Sequence, residues 1–460
     1  MNPALSAVAA SLDVSERITP DRVHGSLYTD PDVFDAELQR IFHRGWSFVG
    51  HESEVPGVGD WVSRRVGRDP VLLVRTRAGE VTVLANRCAH RGVQLCTGSS
   101  GTNGSFSCMF HGWTYALTGE LRAVPQPIGQ GTAAAELALD RPRAVDRYRG
   151  FVFANPSGGA GPLAEHLGVG GRELLDWAAD LSPTGELDLS AGWLGQRSPS
   201  NWKMWAESDN DGYHLGRLHA SLWRVAPGTQ YESAALAGEE RVVSTCRDRG
   251  NGHIELEFWK GYDKDLAWLG TGREKVADYV AALTAARGAE RAEELLWKGP
   301  PHALIFPNLF LGEMNLAIIE PVSAGQTIHH HTPLLLGGVS PGFNTRVLRQ
   351  SEAAMGPAGF LLPDDATASE RMQVAFAGTG GWMDLSRGLQ REVFEGTDRV
   401  GHVSDETVNR GFWRHYRAVM TPAINMRSAD RAASEGRAQD HHGRRRLAHK
   451  AVHRPHCVHA

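Results

Sequence analysis

Cysteine is scarce in this chain: five thiols (Cys88, Cys96, Cys108, Cys246 and Cys457) in 460 residues. So sparse and odd a set argues against a disulfide framework and turns attention to metal or redox use. Long apolar runs are missing too, since no stretch reaches the roughly 18 residues of a membrane span. The opening MNPALSAVAASLDVSERITP lacks the basic-then-apolar order of a secretory signal, so a cytoplasmic protein away from the membrane is expected. Positive charge is not in excess. Lys and Arg number 48 against 53 Asp and Glu, a net charge of −5 that is the wrong sign for neutralising nucleic-acid phosphates. No Gly-rich fingerprint opens a βαβ unit, so the chain is not expected to bind a nicotinamide or flavin nucleotide itself.

What is present is an ordinary globular composition, 41% apolar and 22% charged, with 52 Gly and 23 Pro that favour a fold rich in turns over a helical bundle. The length predicts two or three domains. Residues 1–44 read as a lead-in, flexible over 1–26, and a short amphipathic helix with Val33, Phe34, Leu38, Ile41 and Phe42 on one stripe. Residues 45–158 hold short β-rich runs (WVSRRV, PVLLVRT, EVTVLAN, GFVFANP) broken by Gly, Pro and Asn, which predicts an all-β domain. Over 159–425, helical stretches at 160–182, 199–222 and 273–296 mix with strand-like runs without regular βαβ alternation, which predicts an α+β domain. The Arg- and His-rich stretch 426–460 reads as a disordered basic tail.

Two spans carry the chemistry. The first, NRCAHRG followed by SCMFHGWTY, gives C-x-H (Cys88, His90), seventeen intervening residues, then C-x-x-H (Cys108, His111). Two short pairs of soft ligands in turns between strands can converge on one centre. Zinc is one candidate, but zinc fingers put both cysteines in one pair and both histidines in the other. One Cys and one His per loop suits a 2Fe-2S cluster in which two thiolates hold one iron and two neutral imidazoles the other. That arrangement raises the reduction potential to roughly −150 to +300 mV. Cys96 matches neither spacing and is expected to be a buried small hydrophobe.

CAHRG and CMFHGW, with Gly92, Gly112 and Trp113, resemble the Rieske motif of the Rieske non-heme iron aromatic ring-hydroxylating oxygenases, specifically their alpha (large) subunit. The second span, NWKMWAESDNDGYHLGRLHASL, contains Asp211, His214 and His219. On one straight helix His214 and His219 diverge by about 140°, so they share a metal only if the helix ends or loosens between them. Gly212 and Gly216 permit that. The order N-W-K, Glu, D-x-Y-H and a second His is similar to the mononuclear-iron motif of the same family. Many members carry Asn where this chain has Ser208.

The resemblance implies an N-terminal all-β Rieske domain inserted after the short helix and an α+β helix-grip (START-like) catalytic domain. It also implies a third iron ligand far downstream, which MGPAGFLLPDD places at Asp365, with Asp364 the alternative. Asp211 would be the inter-subunit electron bridge between a ligand imidazole and a Rieske imidazole. The cofactors implied are one Rieske-type 2Fe-2S cluster and one mononuclear Fe(II), with O2 as co-substrate and NAD(P)H acting only through a partner reductase. Phe306, Asn308, Phe310, Met314, Phe360 and Leu361 are expected to line the substrate pocket. Arg217 and Arg224 are expected to be solvated rather than to hold a substrate carboxylate.

The function implied is that of a terminal oxygenase component hydroxylating, foremost cis-dihydroxylating, an aromatic and possibly carboxylated substrate. Its partners would be a ferredoxin and/or flavin reductase, copies of itself in a trimer, and possibly a small β subunit, with neither nucleic acid nor membrane. The alternatives are a Rieske monooxygenase or oxidative demethylase, and, from other classes, a Rieske electron-transfer protein without oxygenase activity or a zinc-stabilised binding protein.

Overall fold

The computed structural model describes residues 11–127, 133–225, 243–312, 314–378 and 380–421. The tail expected over 426–460 lies outside the described residues, as does the start of the lead-in. The rest of that lead-in is not the flexible segment expected. Strand Ile18–Thr19 pairs with Arg22–His24, which pairs in turn with Trp382–Asp384, and Val14, Ile18 and Val23 are buried in the core. Their apolar side chains offset the entropy of ordering a short segment. Asp30 caps the following helix Pro31–Glu37 by accepting from Asp32 N at 2.9 Å. The helix then widens over Leu38–His43 and buries the stripe of Val33, Phe34, Leu38, Ile41 and Phe42.

The β-rich region forms a four-stranded sheet, in the order Val81–Ala85, Asp69–Arg75, Asp60–Val66 and Ser100–Thr102, and two three-stranded sheets. One of the latter is a short meander of Phe106–Ser107, Thr114–Tyr115 and Leu121–Ala123. The other joins Ala144–Tyr148, Phe151–Asn155 and Ser47–His51. Gly67 and Gly79, both with positive φ, sit in the turns that join the strands of the four-stranded sheet.

Downstream, nine antiparallel strands among the described residues make one sheet. Its centre runs Gln326–Pro333, Asn315–Ser323, Leu309–Gly312, His302–Ile305 and Ile254–Glu257. The sheet is buried on both faces. Leu304, Phe310, Ala317 and Ile319 pack against Trp202, Trp205 and the helix Thr407–Met420, while Ala303, Ile305, Leu309 and Leu311 pack against the helix Leu163–Asp180. The stretch 273–296 is two helices, Ala277–Arg287 and Ala289–Lys298, because Gly288 between them adopts φ 79°.

The two regions are clamped by Asn308. Its side-chain amide donates to Phe48 O and its carbonyl accepts from Phe48 N, both at 3.0 Å and both buried.

Candidate metal centres and the cavity beside them

The first motif folds as twin loops. Cys88 N donates to Val93 O and Gly92 N to Cys88 O, at 2.8 and 2.9 Å; Cys108 N donates to Trp113 O and Gly112 N to Cys108 O at the same two distances. Each loop closes through a glycine with positive φ, 75° at Gly92 and 71° at Gly112, where a side chain would be strained. The two thiols point inward and are buried, whereas His90 and His111 are exposed at the tip with ring centroids 4.8 Å apart. Trp113 stacks on His90 at 4.7 Å and fixes its plane. Tyr115 OH accepts from Ala89 N at 3.1 Å, which leaves its hydrogen for Cys88 Sγ at 3.2 Å. Burial works against the Cys88 thiolate, but the hydroxyl and nearby backbone amides outweigh it and lower that thiol's pKa. Cys96 lies in the same core, and burial alone pushes its thiol up to about 11, as befits an inert small hydrophobe. Two thiols inside and two imidazoles outside form a donor set that fits a Rieske cluster.

In the second motif, the helix Trp202–Ser208 stops before Asp211, and a single turn, Leu215–Leu218, separates His214 at its start from His219 at its end. Asp211 Oδ1 accepts from Tyr213 N at 2.7 Å and shapes the connecting turn. Gly212 is needed there because a Cβ would sit 2.5 Å from Val403 O. The single long helix expected over 199–222 is therefore broken, and the break lets residues five apart converge. His214 Nε2 lies 3.1 Å from His219 Nε2, and Asp365 Oδ1 lies 3.4 and 3.5 Å from the two. These atoms form a three-donor cluster.

The tautomers follow from the outer contacts. His214 Nδ1 donates to Asp211 Oδ2 at 3.1 Å and His219 Nδ1 to Asp364 Oδ2 at 3.4 Å, so both Nε2 lone pairs face the Asp365 carboxylate. Three acceptors turned on one another repel unless a cation sits among them, and two imidazoles with one carboxylate suit non-heme Fe(II). The electrostatics agree. Burial opposes a charge on His214, yet Asp211, Asp365 and Asp209 raise its pKa. Ser208 donates its hydroxyl to Asp365 Oδ1 at 3.2 Å.

A cavity of about 340 Å³ opens on these donors. Of the six pocket residues expected, Phe310, Phe360 and Leu361 line it. The other three are corrected. Met314 is fully buried with the cluster on the opposite face of the sheet. Asn308 is the interdomain clamp. Phe306 packs at the far end of the strand pair against Phe412 and His415, with centroids 5.8 and 4.7 Å away. Side-chain alternation and the turn at 306–308 decide this, which proximity in sequence does not reveal. Arg217 and Arg224 are exposed, and neither is among the described residues lining this cavity.

Sequence reasoning missed Asp209 and His302, which also line the cavity. Asp209 Oδ2 accepts from His329 Nε2 at 3.1 Å, and its backbone carbonyl accepts from His302 Nε2 at 2.6 Å. Burial raises the Asp209 pKa, and His329 opposes the rise. The HHH triplet at 329–331 was the one visible signal; strand alternation buries His329 and His331 and leaves His330 half-buried.

Buried paired thiols with exposed imidazoles in one domain, and two imidazoles with a carboxylate beside a cavity in the next, define a two-centre iron oxygenase. Comparison with known proteins gives the family. Residues 45–133 match the Rieske [2Fe-2S] domain, and residues 176–422 match the ring hydroxylating alpha subunit (catalytic domain). The chain is 31% identical over 389 residues to the alpha subunit of toluate 1,2-dioxygenase from Pseudomonas putida, covering 82% of this chain and 83% of that one. It is 28% identical over 406 residues to the anthranilate 1,2-dioxygenase large subunit of Acinetobacter baylyi, with 85% of each covered. A structure of naphthalene 1,2-dioxygenase with indole bound superimposes with a TM-score of 0.76 at 25% identity, over 89% of this chain and 95% of that one. The chain belongs to the Rieske-type ring-hydroxylating oxygenase alpha-subunit family. It is an oxidoreductase that incorporates dioxygen, with a Rieske cluster and a mononuclear iron as cofactors. Among the described residues no helix is long and apolar enough to cross a membrane.

Proposed function

We propose that this chain is the terminal oxygenase component that dihydroxylates a single-ring aromatic substrate in the cavity beside His214, His219 and Asp365. The convergence of those three side chains at the wall of an apolar cavity carries the reading. A cavity of ~150 Å³ already takes one benzene ring, so about 340 Å³ holds a substituted ring. The relatives' names, dioxygenases of toluate and anthranilate, agree in chemistry. Cys88, Cys108, His90 and His111 would hold the cluster, and His214, His219 and Asp365 the lone iron; together these groups supply electron storage and dioxygen activation when bound.

The side chains around them orient and insulate. Asp211 fixes the His214 ring through Nδ1–H, and Asp364 does the same for His219. Leu215, Leu256, Phe258 and Phe310 keep water from the reacting face. Asp211 is also the group proposed to receive a Rieske imidazole N–H from a neighbouring copy. Supporting this, His90 and His111 are exposed beside Met109 (88% exposed) and Phe110 (53%), and Tyr213 next to Asp211 is 52% exposed. Such exposed apolar residues favour a covering partner. A closed trimer is the natural assembly if each copy serves the next. A cytoplasmic ferredoxin or flavin reductase would deliver NAD(P)H-derived electrons.

The test is metal analysis and turnover of purified enzyme with a reductase. His214→Ala should abolish product while keeping the visible cluster spectrum. Asp211→Ala should keep both metals yet halt reoxidation of the reduced cluster. Undiminished turnover in either variant defeats the corresponding role.

A further inference from the structure

Besides the three metal donors with Asp211, and Ser208 and Gln350, the polar side chains among the cavity's described lining residues are Asp209 and His302, which stand together. Asp209 has a side chain only 2% exposed, and both its main chain and its carboxylate are pinned. His302 holds its carbonyl at 2.6 Å, and His329 occupies Oδ2 at 3.1 Å. His329 is itself fully buried and packs, tilted, against Trp205 with ring centroids 4.6 Å apart, which holds it in place. His329 must therefore donate from Nε2, because a carboxylate oxygen offers only acceptance. That leaves Oδ1 with no hydrogen bond to any described residue, on a side chain held in place at the wall of the cavity. A buried acceptor of this kind costs free energy until something donates to it. None of the described lining residues is Lys or Arg.

We infer that Asp209 determines specificity by accepting a hydrogen bond from an amino or hydroxyl group on the substrate's aromatic ring. The inference rests on reading this cavity as the substrate site. His302 and His329 act as positioning residues, since they aim the carboxylate and make its preference steep. A methyl group in place of the donor would leave the buried oxygen unpaired, and an acidic substituent would be repelled from this end of the cavity and have to lie elsewhere on the ring.

Two isosteric sets test this: toluene, aniline and phenol, and 2-methylbenzoate, 2-aminobenzoate and 2-hydroxybenzoate. Within each set only the methyl, amino or hydroxyl group changes. Equilibrium binding to the metallated oxygenase is measured by calorimetry, and oxygen uptake and product by turnover with a reductase. In at least one set, the amino or hydroxyl member should bind at least about tenfold tighter than its methyl isostere. The stronger of the two identifies the donor. Asp209→Asn should erase that preference, because its Oδ1 must still take the His329 N–H and its NH2 would then face the cavity. The wild-type comparison stands even if that variant folds poorly. Equal or tighter binding of the methyl members in both sets overturns the inference while leaving the proposed function intact, provided they turn over. A preference unchanged in Asp209→Asn overturns it too. If none of the six compounds binds, the reading of the cavity as a single-ring site fails, and the inference fails with it.

Discussion

Asp364 and Asp365 are adjacent in sequence and opposite in role, and replacing each with Asn separates them. Asp365 is 6% exposed, with Oδ1 within 3.5 Å of both Nε2 atoms. Asp364 reaches only the back of the His219 ring, at 3.4 Å, from a side chain 38% exposed. Loss of an outer partner of a ligand imidazole weakens metal binding by roughly 10- to 100-fold. Solvent screening at a 38% exposed group puts Asp364→Asn at the lower end, about tenfold or 1.4 kcal/mol. Asp365→Asn removes the one charged donor and leaves two neutral imidazoles, so its loss should exceed the hundredfold ceiling of an outer-partner deletion. The assay strips the lone iron with a chelator, titrates Fe(II) back anaerobically, and counts iron per chain. Cluster absorbance serves as the internal measure of an intact Rieske domain. Asp364→Asn should refill at about ten times the wild-type iron concentration, and Asp365→Asn should not refill. If Asp365→Asn binds iron like the wild type while Asp364→Asn stays empty, the tautomer argument is wrong and the two acids exchange roles.

Tyr115→Phe removes the hydroxyl donated to Cys88 Sγ; at about 1.4 kcal/mol the cluster's midpoint potential should fall by about 60 mV, and an unchanged redox titration would refute that donation. Lys203→Met strands Glu37, since both side chains are fully buried and Glu37 also receives Trp202 Nε1 at 2.8 Å and Tyr416 OH at 2.5 Å. The cost should be about 3–5 kcal/mol, read as a melting temperature lower by roughly 10 °C, and adding Glu37→Gln should recover part of it; no change in melting would contradict a buried ion pair. His253 is buried and His166 and His415 are half-buried, and desolvation pushes His253 and His415 down to about 4 and His166 well below 6.5, so the folded chain holds all three neutral. The unfolded chain then binds more protons, so their contribution is present above pH 6.5 and is lost as pH falls towards 4, by up to about 3 kcal/mol for each of the two. Melting temperatures flat across that window would show that these rings are not held neutral.

The ligand spans were legible because each is local. Cys88, His90, Cys108 and His111 sit in tight turns whose glycines fix the geometry, and residue type alone sets the metal chemistry. The strands were legible for a similar reason, as short β-branched runs bounded by turn residues. What failed did so where alternation or long-range packing decides. Met314 and Phe310 are four residues apart yet fall in cores on opposite faces of the sheet. The order of the lead-in is invisible locally because its partner strand, Trp382–Asp384, lies more than 350 residues downstream.

Sequence by itself determined which donor atoms this protein offers and therefore the chemistry it can host, because thiolate, imidazole and carboxylate carry their affinities wherever they stand. Only the tertiary structure decided which of them meet. A broken helix brought His214 and His219 together, a helix reached 146 residues beyond His219 delivered Asp365, and the half-buried His302 and buried His329 turned Asp209 from a member of an acidic run into an oriented acceptor. Spacing along a chain constrains neighbours within a turn or a strand; beyond that, position is set by which surfaces bury each other.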